Sequence, residues 1–456
     1  MQGSAPAPQN HSASTLPTLL VLFGGVFLGA LDIAIVGPAL PAIQTELALN
    51  ARQTAAIFSI YILFGLIGAP LIASLSDRRG RRRVYVACLL LFGLGSLLVA
   101  TSINVTSLLL GRAVQAFGAS GTLPVASAVI ADTFPVERRG RALGIIGAVF
   151  GLAFVLGPLV GGLFLQWSWR WLFLVNLPLV VILISASIAL LHDEPKRQVI
   201  GFDWVGTLLL ACGLAALAFG ATSLDFSAQS LLGVGSLALI SFVAAAIFLW
   251  LFFRTEKRVV APIIEPRLLQ SAQLRIIGVL GLATGLVEAS MAFLPTLAVN
   301  SLGVDPSRAS FMLLPLVAAL IAGSILAGRA LDRFGSKPVI QLGMAVTIVG
   351  LMLFSWLPPG VASFYAAGIA VGLGLSSLLG APLRFAALEE GGQSSRGASQ
   401  GLLTVCLGIG RLFGASLTGS IAAGAATAAA GYRRSMFAIA LAACVALIVS
   451  MRLQRR

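Results

Sequence analysis

The chain has 456 residues, 58% of them hydrophobic and only 10% charged, which is too apolar and too poor in charge for a water-soluble domain of this length. The formal net charge of +14 raises the question of a nucleic-acid partner, yet no basic helix with interleaved aromatic residues occurs, so none is expected. Cys88, Cys212, Cys406 and Cys444 all lie inside apolar stretches without metal-ligand or redox spacing, which argues against a disulfide framework and against a metal site.

Residues 1–16 are rich in Ser, Pro and Ala, carry no Lys or Arg, and are followed by no small-residue cleavage site. They read as a disordered cytoplasmic tail ahead of a retained first span. A helix crosses about 30 Å of hydrocarbon with roughly 20 apolar residues. About fourteen such runs follow in order: 17–44, 52–75, 84–102, 105–131, 141–165, 171–191, 204–222, 229–253, 274–299, 308–331, 338–356, 361–387, 399–427 and 435–451. With both termini cytoplasmic, most of the 30 Lys and Arg fall in cytoplasmic segments, among them Arg78, Arg79, Arg81, Arg82, Arg83, Arg138, Arg139, Arg141 and Arg384. Arg52, Arg170, Arg308, Arg433 and Arg434 are left outside, and Arg112 and Arg411 inside spans. This positive-inside bias orients a multi-pass protein of the bacterial inner (plasma) membrane and accounts for the basic balance without nucleic acid.

The loop after the second span reads Ser76-Asp77-Arg78-Arg79-Gly80-Arg81, and the loop after the tenth reads Leu331-Asp332-Arg333-Phe334-Gly335. The shift that brings Asp77 onto Asp332 also brings Gly68 onto Gly323 and Val84 onto Val339, so the chain holds two parallel repeats of six spans. The organisation expected is a tail at 1–16, a six-helix bundle at 17–195, a linker with two extra transmembrane helices at 196–273, and a second six-helix bundle at 274–456. In each loop an Asp beside a helix end and several Arg can cap dipoles and pair with acids on neighbouring spans. Asp132, at the cytoplasmic end of the fourth span, is the acid placed to receive Arg81 or Arg78. Alternatively these arginines only set topology and bind anionic lipid, although charge alone needs neither the Asp nor the Gly.

With these motifs in view, the chain resembles the major facilitator superfamily, and within it the fourteen-span drug:proton antiporters. Ala73-x-x-x-Asp77-Arg78-x-Gly80-Arg81-Arg82 is similar to the cytoplasmic gating motif, with Ala73 where Gly is usual. Arg112-Ala113-Val114-Gln115-Ala116-Phe117-Gly118 is similar to the span-four motif, with Ala116 for Gly, and Gly157-Pro158-Leu159-Val160-Gly161-Gly162 resembles the antiporter motif of span five, with Ala153 for its leading Gly. Leu31-Asp32-Ile33-Ala34-Ile35-Val36-Gly37-Pro38 resembles the span-one signature of the branch, but Gly37-Pro38 stands where Asn-Val is usual. That change removes a polar group and is expected to break the helix past Asp32. The resemblance implies an all-α integral membrane fold of two six-helix bundles plus an inserted two-helix hairpin, exchange of protons for an amphipathic small molecule, and a role for Arg112 with Gln115 in shaping the proton path.

An ionisable side chain near the bilayer centre is a functional candidate by default, and four stand out: Asp32, Arg112, Glu288 and Arg411. Asp32 and Glu288 are near-equivalents in the repeat. Desolvation favours the neutral form of a carboxyl group, so such an acid can take a proton on one side and release it when a cation approaches. Glu288 could instead be the counter-charge for a cationic substrate in a cavity lined by Met291, Phe293 and Phe311, with Arg411 facing the same cavity and pairing with an acid or an anionic substrate group. A fixed salt bridge from Asp32 to Arg411 or Arg112 is the competing role, as is snorkelling of Arg112 to the outer headgroups. The Gly157-Pro158 step with Gly161-Gly162 is expected to bend span five, or else to serve generic small-residue packing. The leading expectation is a proton-driven exporter of cationic amphipathic molecules, monomeric, working without a cofactor and in contact with membrane lipids. The alternatives are an exporter or flippase of a lipid or glycolipid, and a membrane receptor that does not transport. No nucleophile, metal-ligand cluster or nucleotide loop supports an enzyme or a self-contained ATP-driven pump.

Overall fold

The computed structural model describes residues 15–133, 136–191, 203–226, 235–259, 262–391 and 396–454, and every regular element among them is a helix. Helices satisfy their backbone groups internally, which is what a lipid solvent demands. Among the described residues thirteen helical segments are long and apolar enough to cross a membrane, and Val136–Phe164, with its apolar stretch Val149–Phe164, makes the fourteenth. The first half contains span one (Thr15–Glu46), span two (Ala51–Arg79), span three (Arg81–Ala100), span four (Val105–Ala119 continued by Thr122–Thr133), span five (Val136–Phe164) and span six (Trp171–Leu174 continued by Asn176–Leu190). Span seven (Trp204–Thr222) and span eight (Ser236–Glu256) form the hairpin between the halves. The second half contains span nine (Ala272–Met291 continued by Leu294–Leu302), span ten (Pro306–Phe311 continued by Leu314–Phe334), span eleven (Ser336–Trp356), span twelve (Val361–Leu379 continued by Ala381–Gly391), span thirteen (Arg396–Ala423) and span fourteen (Ala428–Ser450).

Hydropathy marks where lipid lies, whereas helix ends follow caps, and several helices outrun their apolar runs for that reason. Span two starts at an Asn50 capping box that includes Gln53, and span fourteen starts seven residues ahead of its apolar run, where the Thr427 side chain accepts from the Ala430 amide. The caps repeat with the sequence: the shift of the repeat brings Asn50 onto Asp305, which caps span ten by accepting from the Arg308 amide at 2.9 Å. It also brings Gly80 onto Gly335, and both carry positive φ, 100° and 80°, as the turns after spans two and ten require.

Packing repeats as well, with the partners on spans four and twelve offset by one further residue. Gly68 lies against Ser120 in the first half and Gly323 against Ser376 in the second. Gly95 abuts the backbone of Gln115 and Gly350 that of Val371. Small residues let the spans approach where lipid offers no hydrophobic drive between helices. Side chains such as Leu90, Val181, Leu208, Ile240, Trp250 and Val445 stay exposed on the periphery, as a lipid-facing belt requires.

Span one does not break at Gly37-Pro38. It runs as one helix through Pro38 and Pro41, and the break falls instead in span nine, at Ala292 and Phe293. Gly37 and Ala292 are repeat mates, and a Cβ added at Gly37 would lie 3.0 Å from the Ala292 carbonyl oxygen. Two equivalent positions in contact mark the axis that relates the halves. Packing against span nine supports span one across the hydrogen bonds that its prolines remove.

The halves meet at the end that carries Asn50. Span five crosses span ten, where Ser310 Oγ donates to the Pro158 carbonyl at 2.8 Å and Ser307 Oγ to that of Gly162. Span two crosses span thirteen, where Ser59 and Ser416 hydroxyls are 3.1 Å apart and Ala55 sits against Gly419. The repeat maps one crossing onto the other, Gly161 onto Ser416 and Ala55 onto Ser310. Along the same four spans, from mid-depth to the Gly80 end, a Cβ added at Gly65, Gly151, Gly328 or Gly401 would meet nothing within 4 Å. The halves are therefore closed on one another at the Asn50 end, and towards the Gly80 end the same spans leave free space at these glycines. The hairpin is tied to both halves at the closed end: Arg52 of span two donates to the Leu224 carbonyl at 2.8 Å, and Ser420 of span thirteen to that of Ala221 at 2.8 Å.

Candidate functional site

Two polar centres occupy the interior, one in each half. In the first, Asp32 of span one and Arg112 of span four are both fully shielded and form an ion pair of 2.6 Å through Arg112 Nη1 and Asp32 Oδ2. Gln115, one turn along span four from Arg112, closes the group. Its amide donates to Asp32 Oδ1 at 2.7 Å, and its Oε1 accepts from Arg112 Nη1 at 2.6 Å. The same amide donates to Ser96 Oγ of span three at 2.8 Å, which also accepts from Asn176 of span six at 3.3 Å. Arg112 lies over the Tyr61 ring at 4.1 Å and the Phe173 ring at 5.9 Å, and its Nε donates to the Ile57 carbonyl at 3.5 Å. Arg112 Nη2 has no hydrogen-bond partner. Spans one to four and six thus converge on one buried charge pair, and its cost of desolvation is met only by this full set of partners.

Arg112 is therefore turned inward and does not snorkel; the acid it faces repays its burial better than headgroups two turns away. The ion pair of Asp32 is made to Arg112, not to Arg411. Gln115 is fully buried in this network rather than lining an opening. Ser96, Asn176 and Tyr61 belong to the site although the sequence did not single them out; each is an isolated polar group in an apolar span, which is the signal they left.

In the second centre Arg411 Nε of span thirteen donates to Glu288 Oε2 of span nine at 2.8 Å. This pair is less enclosed than the first, the side chains being 35% and 17% exposed, because it borders the opening between the halves. Close helix contact places it: a Cβ at Gly285 would lie 2.9 Å from the Arg411 amide nitrogen. Met291 ends the first segment of span nine half-buried. Phe293 is fully buried and stacked on Tyr432 at 6.0 Å, so it builds the core of the second half instead of lining a cavity. Phe311 packs on Gly162 at the seal. Arg384, counted from sequence among the flanking cations, lies within the second helix of span twelve and is exposed.

At the Gly80 end Asp77 pairs with Arg81 within its own loop at 2.6 Å, and Arg81 also donates to Ser76 Oγ at 2.8 Å. Arg78 is half-buried with its Nε unpartnered. Asp332 and Arg333 are exposed, the latter over the neighbouring Phe334 ring at 5.3 Å. The side chain of Asp132 lies outside the described residues. Gly157 packs on Ala34 of span one, and a Cβ at Gly161 would lie 2.7 Å from Ser310 Oγ and 2.9 Å from Pro38 Cβ. Gly161 and Gly162 thus form part of the surface on which the halves close, Gly157 seats span five on span one within the first half, and the Pro158 carbonyl takes its hydrogen bond from the other half.

The family model described as Major Facilitator Superfamily matches residues 22–287. The multidrug transporter protein MdtP of Bacillus subtilis is 30% identical over 414 residues, covering 89% of this chain and 75% of that protein. A triacylglyceride transporter of Mycobacteroides abscessus is 31% identical over 419 residues, covering 86% and 80%. Among solved structures, a mutant form of the nucleoside transporter NupG aligns with a TM-score of 0.69 at 14% identity, over 96% of this chain and 100% of that one. Thirteen membrane-length apolar helices with a further, shorter apolar one among the described residues, an ion pair inside each half and a seal built on small residues agree with these likenesses: the chain belongs to the major facilitator superfamily and is a membrane transporter, not an enzyme.

Proposed function

We propose that the protein exports amphipathic small molecules across a bacterial inner membrane in exchange for protons, by alternating access of the halves 17–195 and 274–456 about the hairpin, as a monomer with both termini cytoplasmic. The observation that carries this reading is that the Asp32 and Arg112 pair touches span two, the helix that closes the Asn50 end. While Asp32 is charged, Arg112 is held to it. When Asp32 takes a proton, Arg112 keeps a second site over the Tyr61 ring and against Gln115 Oε1. A proton thereby removes the ion pair and leaves Arg112 to the Tyr61 face and Gln115, and both Tyr61 and the Ile57 carbonyl sit on the stretch of span two that carries Ala55 and Ser59. Proton binding from the Asn50 side and opening of the seal are coupled through that helix. The open Gly80 end then faces the cytoplasm, where the positive-inside bias places Arg78 to Arg83. In this state Asp77 and Arg81 pair within their loop, and closure of the Gly80 end trades that contact for partners across the halves.

The multidrug transporter among the relatives supports small amphipathic substrates. The triacylglyceride transporter supports the second reading, a lipid cargo, which the partly open Arg411 centre also favours. The test is flux in proteoliposomes under an imposed pH gradient, comparing wild type with Asp32→Asn, Glu288→Gln and Arg411→Ala. Gradient-driven flux is expected in wild type and lost in Asp32→Asn. Flux that ignores the gradient and is unchanged in all three variants refutes proton exchange, and binding without flux in wild type would instead indicate a receptor.

A further inference from the structure

The second half holds more positive than negative charge where it borders the opening. Glu288 Oε2 is already engaged by Arg411 Nε, so the charge of this acid is countered before a cationic cargo arrives. The Arg411 side chain is 35% exposed, so part of it stays accessible beside the pair. Arg384, nearer the Gly80 end on span twelve, is exposed as well. Its helix is held to span thirteen by Gln400 Nε2, which donates to the Arg384 carbonyl at 2.7 Å. The acids further along that helix, Glu389 and Glu390, border a separate groove with Gln273, Ile277 and Ser336, and Glu390 Oε1 accepts from Ser271 Oγ at 2.8 Å. Among the described residues the cluster therefore sets two guanidinium groups against one carboxylate. An exposed guanidinium within a membrane span faces water or a ligand, since lipid tails would penalise it heavily. Guanidinium forks bind carboxylate, sulfate and phosphate oxygens in paired hydrogen bonds.

We propose that Arg384 and Arg411, with Glu288 holding Arg411 in place, form a binding site for the anionic head of an amphipathic substrate, which enters from the Gly80 end past Arg384 and stops at Arg411. This inference rests on the export reading and specifies its cargo: an anion with an apolar tail, in place of the cation that Glu288 suggested from sequence. Arg384 captures the head at the mouth, Arg411 receives it at mid-depth, and the tail lies along the apolar walls of the opening. Glu288 orients Arg411 and lowers its attraction enough for release after the halves rock.

The test separates cargo charge from proton coupling. The full chain in phosphatidylcholine nanodiscs is titrated, without any gradient, with two fluorophore-labelled dodecyl probes that differ only in ending in a carboxylate or a trimethylammonium group. The carboxylate probe is expected to bind at least about 10-fold tighter, the worth of one charge-assisted hydrogen-bonded contact. Arg384→Gln should weaken it by about the same factor, Arg384→Glu should reverse the preference, and Glu288→Gln should tighten the carboxylate probe. Thermal unfolding of each variant confirms that it is folded. A further arm with fluorophore-labelled phosphatidylglycerol in the nanodisc reads whether the same chemistry is met by a lipid headgroup: competition with the carboxylate probe identifies a lipid source, and none identifies a free amphiphile, either result agreeing with an anion site. Equal or tighter binding of the ammonium probe, no binding of either probe, or a preference unmoved by all three variants overturns the inference. Asp32→Asn is the control for the parent reading, since it should abolish gradient-driven flux while leaving the charge preference at equilibrium.

Discussion

Replacing Gly161 with Val tests the seal at the Asn50 end. The Cβ it adds would lie 2.9 Å from Pro38 Cβ and 2.7 Å from Ser310 Oγ. Non-bonded heavy atoms rest about 3.5–4.0 Å apart, so span five must move roughly 1 Å away both from Ser310 of the other half and from Pro38 of span one in its own half. Neither neighbour can move aside cheaply, since the Pro38 ring is rigid and Ser310 Oγ is committed to the Pro158 carbonyl. Overpacking of this kind costs about 1–3 kcal/mol; the part borne by Ser310 of the other half is felt only while the seal is closed, whereas the Pro38 contact lies within the first half and weighs on both arrangements. The population should therefore move away from the described state by at most about 5- to 150-fold. The readout is Ser59→Cys in a background with Cys88, Cys212, Cys406 and Cys444 replaced by Ala, treated with a membrane-impermeant maleimide. Ser59 is 5% exposed beside Ser416 in the other crossing, so a rise in alkylation there, caused by a wedge at span five, also shows that the two crossings open as one rigid movement. An alkylation rate unchanged by Gly161→Val, in protein that melts at the parent temperature, would refute the assignment of this end as the gate.

Asp32→Ala leaves Arg112 charged, buried and unpaired, and should cost about 3–5 kcal/mol in reversible unfolding, whereas Asp32→Asn, which keeps one acceptor oxygen for Arg112, should cost less. Ser96→Ala removes the acceptor shared by Gln115 and Asn176 and should destabilise by about 1–3 kcal/mol, read in the same unfolding assay. Gly80→Ala and Gly335→Ala force a Cβ into backbone at positive φ, and each should cost about 1–3 kcal/mol, with equal losses expected because the turns are repeat mates. Arg112→Lys should abolish gradient-driven flux without restoring coupling, since an ammonium cannot serve Asp32, Gln115 and the Tyr61 face together.

The sequence by itself determined the solvent, the number of spans and the repeat. Apolar run length follows directly from bilayer thickness, so the fourteen helices and the hairpin of spans seven and eight were legible before any coordinate. The Asp-Arg-x-Gly loops made the repeat visible because a turn at positive φ needs its glycine in both halves. Asp32, Glu288, Arg112 and Arg411 stood out because a charge inside a span has no neutral explanation. What the tertiary structure alone decided was pairing. An isolated span cannot reveal which cation an acid will face, so the choice of Arg112 for Asp32 and Arg411 for Glu288 awaited the packing of span four on span one and of span thirteen on span nine. The same holds for Gly37 and Pro38. Local chain preference suggests a broken helix, but contact with the repeat mate Ala292 keeps span one whole and moves the break to span nine. Helix geometry is written in neighbouring residues, whereas the partners of a buried charge are set by helices distant in the chain, and only the folded bundle brings them within reach.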